Sequence, residues 1–232
     1  ALRLPVILLN EMAVLPTSLE FMNRESLEFT YKYCNRSYPF PEAKSHILVE
    51  IDGDDEERVF SLSEKIGNRL FDIGAKEVYM ADDSVLIEEI WKMRRAVPEA
   101  IHLALPVEMN EDISVPIQKI GDVLFIIKEL SQQYHLFSPV YGHIGDGNLH
   151  VTLAPKRNED WKKNEPVIRK RFYGRVKELG GVLSGEHGVG LKRRDYLSQF
   201  YSREEINLMR NIKKAFDPKG ILNPGKIFPD SE

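Results

Sequence analysis

Residues 138–154 alternate apolar and polar side chains around the dipeptide Asp146-Gly147, and that pattern commits the chain to an antiparallel hairpin. A type I′ turn needs two residues that tolerate positive φ, and Asp-Gly between alternating arms is among the strongest short-range signals for one. With Asp146-Gly147 as a two-residue loop, Gly145 pairs with Asn148, Ile144 with Leu149 and His143 with His150. The two histidines then stand directly opposite each other, with Cβ atoms roughly 4.5–5.5 Å apart, a separation that lets both imidazoles reach one metal ion. The register also sorts the faces. Val140, Ile144, Leu149, Val151 and Leu153 fall on one side, and Tyr141, His143, Asn148, His150 and Thr152 on the other.

A second stretch, Gly180 to Gly190, reads GGVLSGEHGVG and carries Glu186 and His187 side by side. Glycines let backbone approach a ligand closely. A Glu added to two His makes a three-ligand, open-position metal site of the catalytic kind, and His187 is then a spare imidazole for proton transfer. Taken singly, an Asp-Gly hairpin is mostly just a hairpin and a lone strand histidine mostly structural. Three of the chain's six histidines fall in these two short glycine-rich stretches, which favours a site.

The 232 residues suffice for a substantial core. A net charge of -4 with no Lys/Arg block gives no reason to expect nucleic-acid binding. The single cysteine, Cys34, excludes an internal disulfide framework and multi-cysteine zinc sites, so any zinc must use His and carboxylate. No run of 18 apolar residues occurs, so no transmembrane helix is expected, and ALRLPVILL at the start reads as a strand or linker. Neither common nucleotide-phosphate loop is present.

Strands are expected at Leu19–Met22, His46–Asp52, Glu77–Ala81 and Ile101–Met109, besides the hairpin. Helices are expected over Arg24–Tyr33, from the acidic run at 54–57 to Asp72, over 84–97 and Pro116–Tyr134, and then over Trp161–Leu179, Leu191–Phe200 and Ser202–Phe216. The stretch 35–42 reads as a loop. The class is α+β: an antiparallel or mixed sheet covered by helices, ferredoxin-like (with residues 44–110 as one half), and a helical C-terminal part. Lys192, Arg193 and Arg194 read as a solvated helix face. Arg94, among Trp91, Met93 and Val97, reads on residues alone as an arginine snorkelling from an apolar face.

The stretches GHIGDGNLH (142–150), GGVLSGEHGVGLKRRDYL (180–197) and FDPKGILNPGKIF (216–228) resemble the C-terminal cap half of FAD-linked D-2-hydroxy-acid dehydrogenases of the vanillyl-alcohol-oxidase type. LEFMNRESLE (19–28), IWKMRR (90–95) and EDISVP (111–116) match more weakly. That group includes D-lactate dehydrogenases, the flavin subunit of glycolate oxidase and D-2-hydroxyglutarate dehydrogenase. The resemblance implies a divalent metal, usually zinc, on His143, His150 and Glu186, with His187 as base and Arg94 on the substrate carboxylate. It implies FAD, held mainly by a preceding half that this chain lacks, with Asn223 and Asn148 approaching the flavin. For Asn148 and Asn223 the competing role is turn formation. The implied partners are a small 2-hydroxy acid, the flavin-binding domain of the same protein and an electron acceptor; the implied location is cytoplasmic, or peripheral at a membrane through that acceptor. One departure bears on substrate. Where the hydroxyglutarate branch has a lysine, this chain has Asn110, which favours D-lactate or glycolate over D-2-hydroxyglutarate. The rivals are a His/His/Glu metal-dependent hydrolase and a non-catalytic binding domain.

Overall fold

Alternating strands bury one face only if something covers it, and here two helices do. The computed structural model describes residues 4–37, 42–157 and 160–229. In chain order, α1 (Leu4–Val6) runs into a π-helical turn, then come β1 (Ser18–Asn23), α2 (Arg24–Tyr33), β2 (Ser45–Glu50), α3 (Glu56–Asp72) and α4 (Ser84–Ala104). The chain continues through β3 (Met109–Ser114), α5 (Ile120–Tyr134), β4 (Leu136–Phe137), β5 (Val140–His143) and β6 (Asn148–Pro155). It ends with α6 (Trp161–Glu178), α7 (Leu197–Phe200) and α8 (Arg203–Phe216). The sheet is antiparallel throughout, in the order β2-β1-β5-β6-β3, with β4 paired to β6 off that path. The α+β architecture with helices on the sheet and a helical C-terminal part is as expected. Among the described residues no helix is long and apolar enough to cross a membrane.

The expected face assignment holds. Val140, Ile144, Leu149, Val151 and Leu153 join one core with the buried faces of α5 (Val123, Ile126, Ile127, Leu130) and α6 (Ile168, Phe172, Val176). Each such side chain contributes roughly 1.5–3 kcal/mol when fully buried, so the fold is held mainly from this side. A smaller cluster on the opposite face joins Met22, Tyr141 and Ala154 of the sheet to Leu27 of α2 and Val97 and Ile101 of α4.

Capping residues start the helices where the sequence signals them. Asn23, Asp55 and Asp83 each accept a backbone N–H from the first turn of α2, α3 and α4, and Ser202 with Glu205 forms a full capping box on α8.

Several expectations are corrected. The N-terminal strand or linker is helical from Leu4 to Glu11. The loop expected at 35–42 lies partly outside the described residues. Glu77–Ala81 has no regular secondary structure and pairs with no described strand; Tyr79 and Met80 are exposed, and strand-forming side chains need a half-buried surface. Ile101–Ala104 belongs to α4, which continues through Pro98, so the strand begins only at Met109. A proline inside a helix costs about 3 kcal/mol; burial of Val97, Ala100 and Ile101 on one helical face offsets it. Residues 191–200 fold as turns, a 3-10 turn (Arg194–Tyr196) and the short α7 instead of one helix. Residues 44–110 do not close a unit of their own, because β2 and β3 lie at opposite edges of the sheet.

Adjacent residues of β3 serve opposite faces. Glu111, wholly buried on the α6 side, accepts hydrogen bonds from Arg169 and Tyr173, and Arg193 Nε lies 3.3 Å away. Arg193 is therefore not on a solvated face but buried. Burial pushes the Glu111 carboxyl up, and the Arg169 charge opposes it. Removing the carboxylate leaves the buried Arg193 charge without a carboxylate and Arg169 with Glu165 alone, so Glu111→Ala should cost about 3–5 kcal/mol. Urea unfolding measures it; a loss below about 1 kcal/mol would mean that the arginines are solvated.

Candidate functional site

The hairpin forms, but its register differs from the expected one by two residues. β5 pairs with β6 through Val140↔Val151 and Tyr141↔His150, which leaves Ile144–Gly147 as a four-residue loop. A shift of two preserves the faces, so His143 and His150 are diagonal neighbours on one side, with ring centroids 5.6 Å apart. Packing explains the difference. Ile144 is wholly buried, Val115 N donates to Gly147 O at 3.1 Å, and a Cβ on Gly147 would lie 2.0 Å from Val115 O. Ile144 and Gly147, at the two ends of the loop, are tied into the core while Gly145 and Asp146 stay exposed, and tertiary contact overrides the local turn preference.

Each histidine has a carboxylate directly opposite on the flanking strand. Glu20 of β1 pairs with His143, and Asp112 of β3 pairs with His150. Glu20 Oε1 lies 2.6 Å from His143 Nδ1, while its Oε2 accepts from Arg94 Nε at 2.8 Å and Nη2 at 2.6 Å. Glu20 and Arg94 are both buried, and the guanidinium lies over the Tyr141 ring at 5.0 Å.

Asp112 has a different task. Its Oδ2 accepts from Ser184 Oγ (2.9 Å), Glu186 N (2.9 Å) and His187 N (2.8 Å), and its Oδ1 from Asn148 Nδ2 (2.7 Å). Gly185 N donates to its backbone carbonyl. One carboxylate thus fixes the loop 184–187 over the histidine face. Gly185 must lack a side chain, since its Cβ would fall 1.9 Å from Asn148 Nδ2. From the other side, Arg193 Nη1 donates to Gly188 O at 3.0 Å.

The loop delivers Glu186 to the imidazoles. Its Oε1 lies 3.3 Å from His150 Nε2, 3.7 Å from His143 Nε2 and 3.6 Å from His187 Nε2. His143, His150 and Glu186 bring one ligating atom each within 4.8 Å of the others, and so do Asp112, His150 and His187. The Asp112 oxygens already accept four hydrogen bonds, so the first group is the better metal set. His187 stacks on His150 with centroids 5.1 Å apart, and its side chain is 51% exposed.

Local electrostatics follow from these contacts. Burial pushes the Glu20 carboxyl up, but the His143 hydrogen bond and the Arg94 charge outweigh it and hold the group below its usual range. The Glu20 hydrogen bond raises the His143 imidazole. Burial drives His150 down to about 4, so it is neutral near pH 7. Burial also opposes ionisation of Asp112, yet the donors from His187, Asn148, Glu186 and Ser184 prevail and bring it to about 2.

The cluster thus unites His143, His150, Glu186 and His187. Arg94 reaches it through Glu20. Asn148 donates both to Asp112 and to Ile113 O (3.0 Å), and its Oδ1 is buried without a partner. Asn223 has positive φ and accepts from Lys226 Nζ, apart from the cluster. Sequence reasoning missed Glu20, Asp112 and Arg193. Glu20 between Leu19 and Phe21 carried a signal, an acid on the polar face of an otherwise apolar strand, but only pairing with β5 gives it meaning.

The family described as FAD linked oxidases, C-terminal domain, matches residues 6–227. The chain belongs to this family. It is 34% identical over 219 residues to a D-lactate dehydrogenase of Anaerostipes hadrus, covering 91% of this chain and 46% of that protein. It is 32% identical to the glycolate oxidase subunit GlcD of Bacillus subtilis, covering 93% and 46%, and 31% identical to the mitochondrial D-2-hydroxyglutarate dehydrogenase of Danio rerio, covering 93% and 40%. The chain therefore spans less than half the length of these relatives. The fold also matches 4-ethylphenol oxidase from Gulosibacter chungangensis, with TM-score 0.58 at 14% identity over 99% of this chain and 52% of that one.

The Asp112 anchor makes a signed prediction. Its folded pKa of about 2 lies below the ordinary 3.8, so its stabilisation is complete above pH 4 or so and is lost as pH falls toward 2. Asp112→Asn should cost roughly 2–3 kcal/mol near neutral pH, and the gap to wild type should close in acid. Urea unfolding across pH measures both; a gap independent of pH would refute an ionic anchor.

Proposed function

We propose that this chain is the substrate- and metal-holding half of a flavin-dependent dehydrogenase that oxidises a small D-2-hydroxy acid to the 2-oxo acid. The observation that supports this best is the convergence of three imidazole Nε2 atoms on one oxygen of Glu186 at 3.3–3.7 Å. The donor set fits a divalent cation. His143 uses Nδ1 at Glu20 and keeps Nε2 for a ligand, His150 is held neutral by burial, and Glu186 adds one carboxylate. Zinc suits two imidazoles and a carboxylate, and it would act there as a Lewis acid toward the substrate hydroxyl and carboxylate.

This chain's residues do the rest. His187, half exposed and with Nε2 beside Glu186, takes the hydroxyl proton and passes it to solvent. Arg94 spends its Nε–H and one Nη2–H on Glu20, which leaves the Nη1 hydrogens and the second Nη2–H for the substrate carboxylate. FAD would supply the redox chemistry, gripped by the portion of the relatives that this chain does not span, since no phosphate-cradling loop occurs here. That portion would also cover Leu208, Ile212 and Phe216, an exposed stripe on one face of α8.

Substrate size is read from the resemblance to the hydroxyglutarate branch, which puts a lysine where this chain has Asn110. Asn110 lies on the same face as Asp112, opposite Thr152, and its neutral side chain would give a second substrate carboxylate no cation. The intact flavoprotein should therefore reduce a dye acceptor faster with D-lactate or glycolate than with D-2-hydroxyglutarate, and Asn110→Lys should narrow that difference. Steady-state kinetics decide. A wild-type preference for the dicarboxylate would overturn the substrate assignment, and no turnover of any 2-hydroxy acid would overturn the reaction.

A further inference from the structure

Glu20 is buried, acidic and in contact with His143, yet it supplies nothing to the ligand cluster itself. Both of its oxygens are engaged, Oε1 by His143 Nδ1 and Oε2 by Arg94 Nε and Nη2. We propose that Glu20 is a positioning residue that sets the tautomer of His143, keeping the proton on Nδ1 and the lone pair on Nε2 toward Glu186. The inference rests on the reading of His143 as a metal ligand.

The chemistry of the three groups enforces this. A guanidinium only donates, so whatever faces Arg94 must accept. A carboxylate accepts on both oxygens and can therefore also take the proton of Nδ1–H. An amide cannot serve both partners in that way. With glutamine at position 20, Arg94 claims the single carbonyl oxygen, and the NH2 group turns to His143 Nδ1. That nitrogen must then accept, the proton moves to Nε2, and the lone pair facing Glu186 is lost. The register fixes the contact, because Glu20 and His143 are direct cross-strand partners, and α4 supplies Arg94 from above the same strand. The nearest comparable pair behaves otherwise. His150 Nδ1 stands 3.9 Å from Asp112, too far for a hydrogen bond, and Asp112 is engaged by the loop.

The test uses the intact protein with 15N-labelled histidines and the metal removed. Nitrogen chemical shifts should be read at about pH 9, where imidazoles are neutral. Wild-type His143 should carry its proton on Nδ1, and Glu20→Gln should move it to Nε2. Cobalt(II) titration of the same two proteins should show affinity about 10–100-fold weaker in the variant, the range for a lost outer-shell partner. A wild-type proton on Nε2, or a variant with unchanged tautomer and affinity, would overturn the proposal. A purely structural role would lower thermal stability and leave the tautomer alone. Should Glu20→Gln fail to fold, the wild-type tautomer decides by itself. If the tautomer switches but wild-type protein binds no cobalt, the metal reading falls and the hold of Glu20 on His143 stands.

Discussion

Cross-strand register is the constraint on which the rest depends. The hairpin β5–β6 lies between β1 and β3, and antiparallel pairing sets Glu20 against His143 and Asp112 against His150 in two adjacent rows of one face. Because side chains alternate with a period of two, a slip of one residue in any of these strands would send its contribution to the opposite, apolar side. The strongly buried face guards against this. Displacing Leu149, Val151 and Leu153, all wholly buried, would forfeit several kcal/mol. Hydrophobic burial on one side therefore determines polar geometry on the other.

The two carboxylates divide the labour. Glu20 engages a histidine and an arginine, so its effect is on the orientation and charge of side chains. Asp112 engages backbone N–H groups of Glu186 and His187, so its effect is to hold a loop that would otherwise have no regular structure. The following β-strand alternation adds a second hold, since Glu111, one residue away and on the other face, pairs with Arg193, which reaches Gly188 O. A glycine-rich loop has high conformational entropy to lose, and these anchors offset that loss. Function follows from the combination. His150 is rigid, buried and neutral, whereas Glu186 and His187 sit on an exposed loop with fixed backbone.

The residues of the His/Glu cluster were legible in the sequence because they sit in short local patterns, the Asp-Gly hairpin and the glycine loop, whose alternation and composition have direct geometric meaning. Helices with capping signals, such as Arg24–Tyr33 and Arg203–Phe216, were legible for the same reason. What escaped was set by distant contact. The turn length depended on Val115, and the role of Glu20 depended on a strand 123 residues away. Arg193 looked solvated because its partner Glu111 lies in β3. The helix expected over 84–97 runs on through Pro98 because Val97 and Ile101 pack together in the smaller core. Arg94 was read as snorkelling or as a substrate fork, and both readings lacked Glu20, the group that holds it.

The convergence of His143, His150 and Glu186 on a single ion is most directly tested by cobalt(II) titration of wild-type protein and the three single alanine variants, with His187→Ala as the control. Wild type should take up one ion per chain, each of the three ligand variants should bind about tenfold or more weakly, and the control should bind near wild-type strength. Full occupancy in all three ligand variants, or loss of the ion in His187→Ala alone, would contradict the assignment.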